Sequence, residues 1–480
     1  MERGNMAEIV KQVSSIDQPW KVERNELEPI PLSERHGKPS ELLSMWFGGN
    51  INYQVITTGI LLGAIGLGFW NLFTAILVGN ILGCTVLGLA SIMGPKTGNA
   101  GIMTSRACFG MKGAFLPSAI SLFSVLGWFC ISSMIGIMAL ERLLVIAGMA
   151  DSLSLKFICA IVVVGLEVLI ALYGHASIIK YESLMCVILG ILFIGMLLFV
   201  LPVTNFSYAG TIEGGKDKFV MWLIACGISF SYPLSWTNFA SDYSRYLPKN
   251  TSWKSIAFFA GMGQGLALIL CETLGVLFVI AIGGNPDDPI AGLASVLPTW
   301  YLVPFLLSIT IGCIATDVLN CYTAGLGIKA MRIPVKRVYA TLAIGAFAVV
   351  FRIYSIYAVY FFDMYQTWLT FIIVWSCPWV SIVIVDYFMR RGNYNEQDLV
   401  TWGKGEYWGN NGFMWKGIIS FVLGVMVALL FTNNDVFVNP FMNMFFGGLD
   451  LSYFMGVIFT GVFYYFISRK DPMYMRAPVK

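Results

Sequence analysis

Long apolar stretches separated by short polar connections dominate the chain. They recur from about residue 41 to residue 467, and each is close to the roughly 20 residues that an α-helix needs to cross the hydrocarbon core of a bilayer. This pattern predicts an all-α polytopic membrane protein with twelve transmembrane helices. Numbered as spans 1 to 12 in chain order, they are predicted at residues 41–67, 70–93, 114–147, 155–174, 179–202, 219–240, 254–282, 301–328, 336–352, 364–389, 414–432 and 451–468.

The composition agrees with a membrane protein that has one domain. Of the 480 residues, 57% are apolar and 12% are charged, whereas a soluble globular protein carries about a quarter charged residues. The first 40 residues are polar and lack the apolar core of a cleavable signal peptide. We therefore expect a cytoplasmic N-terminal tail at 1–40, a transmembrane domain at 41–468 and a cytoplasmic C-terminal tail at 469–480.

The distribution of lysine and arginine predicts the orientation. If the N-terminus is cytoplasmic, the connections on the cytoplasmic side carry 15 of these residues and the connections on the opposite side carry 5. An excess of positive charge on cytoplasmic loops is the usual signature of membrane topology. Both termini are therefore expected to be cytoplasmic, in a protein of the cytoplasmic membrane.

Two spans carry interruptions at corresponding places. Span 1 contains MWFGGNINYQ, residues 45–54, and span 6 contains SFSYPLSWTN, residues 229–238. Proline cannot donate a backbone hydrogen bond within a helix, and broken helices commonly bind substrate and ion at the midplane of secondary transporters. The spacing predicts a five-plus-five inverted repeat, with repeat one at about 41–202, repeat two at about 219–389 and accessory helices at about 414–468. Interruptions without any ligand remain an alternative, because Gly and Pro are common in transmembrane helices.

Tryptophans near the middle of spans 3 and 6 are candidates for binding a planar ring. Trp128 lies in the middle of span 3, and Ser132, four residues later, shares its helical face. Trp236 offers a second flat face beside the interruption in span 6. Together these rings could hold a planar ligand by offset stacking, although either one alone could simply pack against neighbouring helices.

Span 8 adds polar residues. Asp317 and Asn320 are three residues apart and therefore share a face, and an ionisable residue deep in a span is a functional hypothesis by default. An asparagine that hydrogen-bonds to another helix without contacting ligand is the alternative. Three other intramembrane acids could also carry a proton or be paired structurally: Glu141, Glu167 and Glu272.

Residue types needed for enzymatic chemistry are scarce. The chain has two histidines and contains no HExxH, no GxSxG and no Gly-rich phosphate loop. Its ten cysteines are scattered without a CxxC pair. We therefore predict no enzymatic activity, no cofactor and no resident metal. Nothing predicts binding to nucleic acid or to an obligate protein partner, so the expected partners are a small molecule and the lipid bilayer.

Several motifs resemble the nucleobase:cation symporter-1 family, in particular its purine/cytosine permease branch. They are ERHGKPSELLSMWFGGNIN, GPKTGNAGIMTSRACFGMKG, LGWFCISS, WTNFASDYSRYLP and TDVLNCYTAGL, and they extend from span 1 to span 8. The resemblance implies a LeuT-like fold in which a planar heterocycle is held between two aromatic platforms. It also implies that Trp128 is the platform of span 3, that Ser132 is its polar partner and that Asn320 bonds the substrate.

The second platform and the coupling ion are less well defined by the resemblance. A gapless count in span 6 places Pro233 at the platform, so Trp236 is assigned because it is the available ring, with Tyr232 as the second choice. In sodium-coupled members the ion site uses span 1 carbonyls, which match Gly48 and Ile51. The adjacent hydroxyl positions of span 8 are apolar here, and only Thr316 is close.

These departures favour a proton as the coupling ion, with Asp317 as its carrier. Sodium at Gly48, Ile51 and Thr316 remains an alternative. Asn50 and Asn52 are candidates for substrate selection. The last pair of candidate residues, Asp242 and Arg245, lies at the expected cytoplasmic end of span 6 and is predicted to fix a gate or a loop.

The sequence thus predicts a secondary active symporter that imports a purine or pyrimidine nucleobase together with a cation, favouring H+. The alternative is a carrier of the same fold for hydantoin, allantoin, vitamin B6 or a thiamine precursor, or a Na+-coupled one. An amino-acid carrier is disfavoured, because the interrupted helices offer no Arg or Lys for a carboxylate.

Overall fold

The structure is a computed structural model that describes residues 29–171, 175–284, 286, 288–335, 337–358, 360–434 and 437–475. Within these ranges every regular element is a helix, and a helix occupies each of the twelve predicted spans. Among the described residues, eight helices are long and apolar enough to cross a membrane, and four shorter apolar helices lie in spans 1, 9, 11 and 12. The predicted all-α class is therefore confirmed.

The helices of the spans keep close to the predicted bounds. In chain order they are Glu41–Gly49 and Tyr53–Gly63 in span 1, Phe69–Ser91, Phe115–Ile146, Leu153–Ala171, His175–Val200, Gly215–Ser235 and Ala240–Ser244 in span 6, Trp253–Ile282, Thr299–Ala330, Arg337–Ala358, Phe361–Met389, Trp415–Leu430 and Ser452–Ser468. Short helices and 3-10 turns lie at Leu32–Glu34, Met93–Thr97, Gly101–Thr104, Arg106–Phe109, Leu201–Val203, Thr237–Phe239, Leu293–Val296, Pro440–Phe446 and Pro472–Met475.

Span 1 is broken where the sequence predicted. Its first helix ends at Gly49 and its second begins at Tyr53. Asn52 caps the second helix, because its side-chain oxygen accepts from the backbone N–H of Val55 at 3.2 Å. The side chain of Asn50 donates back to the carbonyl oxygen of Trp46 at 2.7 Å. Both asparagines thus satisfy backbone groups that the break releases.

Span 6 breaks a little later than the proline suggested. The helix continues through Pro233 to Ser235, and a 3-10 turn at Thr237–Phe239 precedes the short second helix. The hydroxyl of Ser235 donates to the carbonyl oxygen of Tyr232 at 2.6 Å, and the hydroxyl of Thr237 donates to that of Leu234 at 2.7 Å. These side chains satisfy carbonyls at the helix end that have no intrahelical partner.

The helices form two packed groups. Spans 1, 2, 6 and 7 pack on one another, and spans 3, 4, 8 and 9 enclose a separate buried apolar cluster. Within the first group, span 1 approaches span 7 very closely. A Cβ on Gly275 would lie 2.2 Å from the carbonyl oxygen of Ile56, and one on Gly59 would lie 2.0 Å from that of Glu272. Spans related by the predicted repeat thus occupy the same group.

Candidate functional site

Trp128 lies where the two helix groups meet. Its ring centroid is 5.2 Å from that of Tyr232 in span 6, at an interplanar angle of 65°, and 6.1 Å from that of Tyr365 in span 10. The buried indole N–H of Trp128 has no hydrogen-bond partner among the described residues. A buried tryptophan usually finds such a partner, so this N–H is available to a ligand.

The ring of span 6 that faces Trp128 is therefore Tyr232. Its hydroxyl donates to the side-chain oxygen of Asn52 at 3.5 Å, which connects the aromatic pair to the break in span 1. Tyr365 is held by a 2.7 Å hydrogen bond between its hydroxyl and that of Thr58. Three spans thus converge on Trp128 through aromatic and polar contacts.

Trp236 lies in a different aromatic group. Its ring is 6.1 Å from that of Trp46 at 80° and 6.3 Å from that of Phe239. Trp46 in turn contacts Tyr243 at 5.2 Å. The two-tryptophan arrangement predicted from the sequence stays a prediction, and the direct neighbour of Trp128 is Tyr232, which the sequence placed second.

Ser132 and Asn320 both face polar groups of span 8. The buried hydroxyl of Ser132 donates to the carbonyl oxygen of Cys313 at 3.5 Å. The side-chain N–H of Asn320 donates to Asp317 Oδ1 at 2.9 Å. The two span 8 residues that the sequence placed on one face are therefore directly bonded, and Asp317 is fully buried.

Asp317 also belongs to a buried carboxyl pair. The hydroxyl oxygen of Ser133 in span 3 lies 3.1 Å from Asp317 Oδ2 and 2.7 Å from Glu167 Oε2 in span 4. Both acids have no exposed surface. From the sequence, Glu167 is predicted only as one of several intramembrane acids, and no role is predicted for Ser133.

The predicted sodium ligands lie in two separate backbone settings. The carbonyl oxygen of Gly48 accepts from the N–H of Ile51 at 3.1 Å. Both residues border span 5, where a Cβ on Gly48 would lie 3.3 Å from the sulfur of Cys186. The hydroxyl of Thr316 donates to the carbonyl oxygen of Gly312 in its own helix at 3.2 Å.

Asp242 and Arg245 lie beyond the break in span 6. Asp242 Oδ1 accepts from the backbone N–H of Gly101 at 2.6 Å, so this carboxylate fixes the connection after span 2. Both residues line a small cavity of about 40 Å³ together with Phe239 and Ser121. The side chain of Asn238 donates to the hydroxyl of Ser121 and joins span 6 to span 3 at the same level, as a gate would require.

The stretch Gly94–Gly113 ties several connections together on the same side. Arg106 donates to the carbonyl oxygen of Leu399 at 2.8 Å. Burial, together with the nearby Arg332, lowers the pKa of the Arg106 guanidinium to about 10, so it stays charged at neutral pH. Arg35 donates to the carbonyl oxygen of Pro95 at 2.8 Å and to a carboxylate of the connection after span 10 at 2.7 Å.

Three residues around the site escaped the sequence analysis. Tyr365 and Ser133 contact Trp128 and Asp317 respectively, and Gln54 has a buried side-chain amide nitrogen without a partner in the described ranges. Tyr365 has no distinctive local signal, whereas Gln54 and Ser133 end the quoted stretches MWFGGNINYQ and LGWFCISS, in which other residues drew attention. Only the packing of one span against another reveals them.

Comparisons with known proteins place the chain among permeases. The sequence profile described as "Permease for cytosine/purines, uracil, thiamine, allantoin" matches residues 29–456. A Bacillus subtilis protein with the provisional name purine-cytosine permease YxlA is 28% identical over 463 residues, which cover 94% of this chain and 96% of that protein. Purine-cytosine permease FCY2 of Saccharomyces cerevisiae is 24% identical and covers 78% of this chain and 73% of its own length.

A solved structure shares the fold. Mhp1, a nucleobase-cation-symport-1 family transporter in a closed conformation with bromovinylhydantoin bound, superimposes with a TM-score of 0.74 at 16% identity, covering 94% of this chain and 97% of that one. At this identity the likeness shows the fold alone. It confirms the predicted LeuT-like fold, while the count of twelve crossings stays a prediction.

Proposed function

Because the chain belongs to this permease family for cytosine, purines and related heterocycles, we propose that it is a secondary symporter that imports a purine or pyrimidine nucleobase together with a proton. The observation that carries the proposal is the contact between Trp128 and Tyr232, whose hydroxyl reaches Asn52 at the break in span 1. We assign the amide of Asn320 in span 8 to the edge of the base. A nucleobase offers a flat ring to the aromatic side chains and an amide-like edge to asparagine, which both donates and accepts.

Binding requires a movement in this site. The rings of Trp128 and Tyr232 are 5.2 Å apart, whereas a planar ligand stacked on both needs about 7 Å between them, since atoms in contact lie about 3.5 Å apart. Tyr232 belongs to the helix group of spans 1, 2, 6 and 7, and Trp128 belongs to the other group. Separation of these two rings by rocking of one group against the other admits the base.

The proton is favoured as coupling ion by the surroundings of Asp317. This carboxyl group is buried and is bonded to Asn320 at 2.9 Å. Among the described residues no Lys or Arg lies within ion-pair distance of it. A buried carboxylate without a counter-charge is costly, and protonation removes that cost. Sodium bound at Gly48, Ile51 and Thr316 is the alternative for the ion.

The substrate alternative is another planar heterocycle. It is supported by the names of relatives, including allantoin permease of Bacillus subtilis, which is 22% identical to this chain, and vitamin B6 transporter TPN1 of Saccharomyces cerevisiae. The same aromatic and amide groups would serve such rings. The proposed location is the cytoplasmic membrane, with both termini in the cytoplasm.

The proposal is tested by uptake of labelled hypoxanthine in a host that lacks its own base carriers. Unlabelled adenine, guanine, cytosine, uracil, hydantoin, allantoin and pyridoxine serve as competitors, with and without a protonophore and with sodium replaced. We expect competition by a purine or cytosine, and loss of accumulation with the protonophore but not without sodium. Competition by hydantoin, allantoin or pyridoxine alone would identify the alternative substrate class.

A pair of tryptophan variants controls this assay. Trp128→Ala is expected to abolish saturable uptake because it removes the ring platform. Trp70→Ala removes an equally large ring that is 64% exposed at the start of span 2, and it should leave uptake unchanged. Equal loss in both variants would show that uptake reports the amount of folded protein and not the site.

A further inference from the structure

We propose that the coupling proton binds to a pair of carboxyl groups, Asp317 of span 8 and Glu167 of span 4, that already share one resident proton through the hydroxyl of Ser133 in span 3. This inference rests on the proposed proton-coupled uptake and adds to it a second acid and a bridging residue. Glu167 thereby becomes part of the coupling site, although it does not face the aromatic pair around Trp128.

The hydrogen count at Ser133 carries the argument. Its hydroxyl oxygen lies 2.7 Å from Glu167 Oε2 and 3.1 Å from Asp317 Oδ2, and both distances are hydrogen bonds. A serine hydroxyl has one hydrogen to donate and two lone pairs to accept with, and an ionised carboxylate can only accept. Ser133 can therefore donate to one acid only. The other acid has to donate to Ser133, so at least one of the two carries a proton.

The surroundings leave the pair without a counter-charge. Both acids are completely buried, and the hydroxyl oxygen of Ser133 lies within 3.1 Å of one oxygen of each. The second oxygen of Glu167, Oε1, has no hydrogen-bond partner in the part of the chain that the structure describes. Two adjacent ionised carboxylates in such a place repel each other strongly, which makes one shared proton the stable arrangement.

Other titratable groups around the pair do not change this balance. Cys130 faces it from span 3, and Cys313 and Cys321 face it from span 8. Span 9, which packs against span 4, contributes Arg352, whose guanidinium is bonded to Glu141 at 3.1 Å. The cysteines carry no positive charge, and the arginine is already matched by a carboxylate.

Asn320 links the pair to the substrate. Its side-chain N–H donates to Asp317 Oδ1 at 2.9 Å, so the position of this amide depends on whether that oxygen is free to accept. When the pair holds one proton, Asp317 accepts from Asn320 as observed. When a second proton binds, both acids are neutral and the hydrogen bond from Asn320 to Asp317 becomes weaker. The amide of Asn320 is then free to bond the edge of a nucleobase.

The transport step follows with protons balanced. Facing outward, the pair takes up one proton and changes its net charge from minus one to zero, and the neutral state favours base binding. Facing inward, the pair releases that proton to the cytoplasm as the base departs. One proton then accompanies each base, and the linkage is reciprocal, since protonation must favour base binding as much as base binding favours protonation.

The test measures hypoxanthine affinity of the purified protein against pH, by intrinsic tryptophan fluorescence. Binding of one proton with each base predicts full affinity at low pH and, once pH rises through the titration of the pair, a Kd that increases about tenfold per pH unit. Glu167→Gln and Asp317→Asn each leave one acid that can still take up a proton, so each should keep the slope and move the midpoint of the pH dependence. The double variant, which keeps neither acid, should lose the dependence on pH.

Ser133→Ala tests the bridge while keeping both acids. It should move the midpoint of the pH dependence. Ser229→Ala is the matched control, because the Ser229 hydroxyl donates at 2.8 Å to Glu272, a buried carboxyl whose same oxygen also accepts from Asn80 at 2.8 Å. Both of those partners supply their own hydrogen, so no proton is required there and the midpoint should not move.

A second readout is independent of transport. The infrared carbonyl band of protonated carboxylic acids, recorded on ligand-free protein, should contain a component in the wild type that is lost in the double variant of Asp317 and Glu167. Wild-type uptake that does not change with the protonophore, while this band is present, would refute the proposed proton coupling. The protonated carboxyl pair itself would not be contradicted. Proton-driven uptake with an unmoved pH midpoint in Glu167→Gln would refute the pair. If Glu167→Gln does not fold, Ser133→Ala decides, and an unmoved midpoint overturns the shared proton.

Discussion

Replacement of Tyr232 decides which ring of span 6 forms the second platform. Tyr232 is 1% exposed and its ring lies 5.2 Å from that of Trp128. A well-placed aromatic pair contributes about 0.5–1.5 kcal/mol beyond burial, which corresponds to about a 2- to 13-fold change in Kd. If a bound base stacks on Tyr232, Tyr232→Ala should raise the Kd for hypoxanthine within this range.

Tyr232→Phe separates the ring from its hydroxyl. The hydroxyl bond to Asn52 is long at 3.5 Å and therefore weak, so we expect a Kd change of less than about twofold. Trp236→Ala should leave the Kd within about twofold of wild type, because its ring packs on Trp46 and Phe239 and not on Trp128. Its effect should fall on the uptake rate, through the gate.

The assay is equilibrium binding of labelled hypoxanthine to purified protein, with thermal stability measured on every variant. A larger rise in Kd for Trp236→Ala than for Tyr232→Ala, at equal stability, would contradict the assignment of Tyr232 as the second platform. The two-tryptophan arrangement predicted from the sequence would then be correct, and the observed neighbour of Trp128 would not be the platform.

Two further predictions concern packing. Gly275→Ala places a Cβ 2.2 Å from the carbonyl oxygen of Ile56, so spans 1 and 7 have to separate. The resulting loss of stability, about 1–3 kcal/mol as is typical of overpacking, should appear as a lower melting temperature. Gly165→Ala is the control, because the space around Gly165 is open, and it should not lower the melting temperature. Arg35→Ala removes a buried guanidinium that is bonded to Glu396 at 2.7 Å, and it should also lower the melting temperature. An unchanged melting temperature would show that this contact of the N-terminal segment does not stabilise the fold.

Most of the fold could be predicted from the sequence, because apolar length and helix breakers are local signals. The break in span 1 lies where Gly48, Gly49 and the asparagines indicated it. In span 6 the helix continues two residues past the proline, and it ends within the predicted interruption. Pro233 lacks its own N–H, but it lies in the last turn, and the hydroxyls of Ser235 and Thr237 satisfy the carbonyls that end the helix.

The site was only partly predictable for a physical reason. The bond between Asp317 and Asn320 follows from their spacing on one helix. The contacts between Trp128 and Tyr232 and between Ser133 and its two acids join different spans. Helical periodicity defines which residues share a face, but it does not define which faces meet. Family resemblance supplied the platform of span 3 for the same reason, since it carries information about packing that one sequence lacks.

The positions of the two ligands within the helix groups determine how coupling can work. The proposed proton site lies wholly within the group of spans 3, 4 and 8, so a proton alone makes no contact that spans the boundary between the groups. In the proposed site the base contacts Trp128 and Asn320 on one side and Tyr232 on the other, so it does span this boundary. The proton therefore influences the rocking motion only through Asn320 and the bound base. A ligand shifts a conformational equilibrium only by its differential affinity for the two states. In this arrangement the base supplies the difference in affinity between the two states, and the proton determines how tightly the base binds. The flux of the base is thereby coupled to the flux of protons.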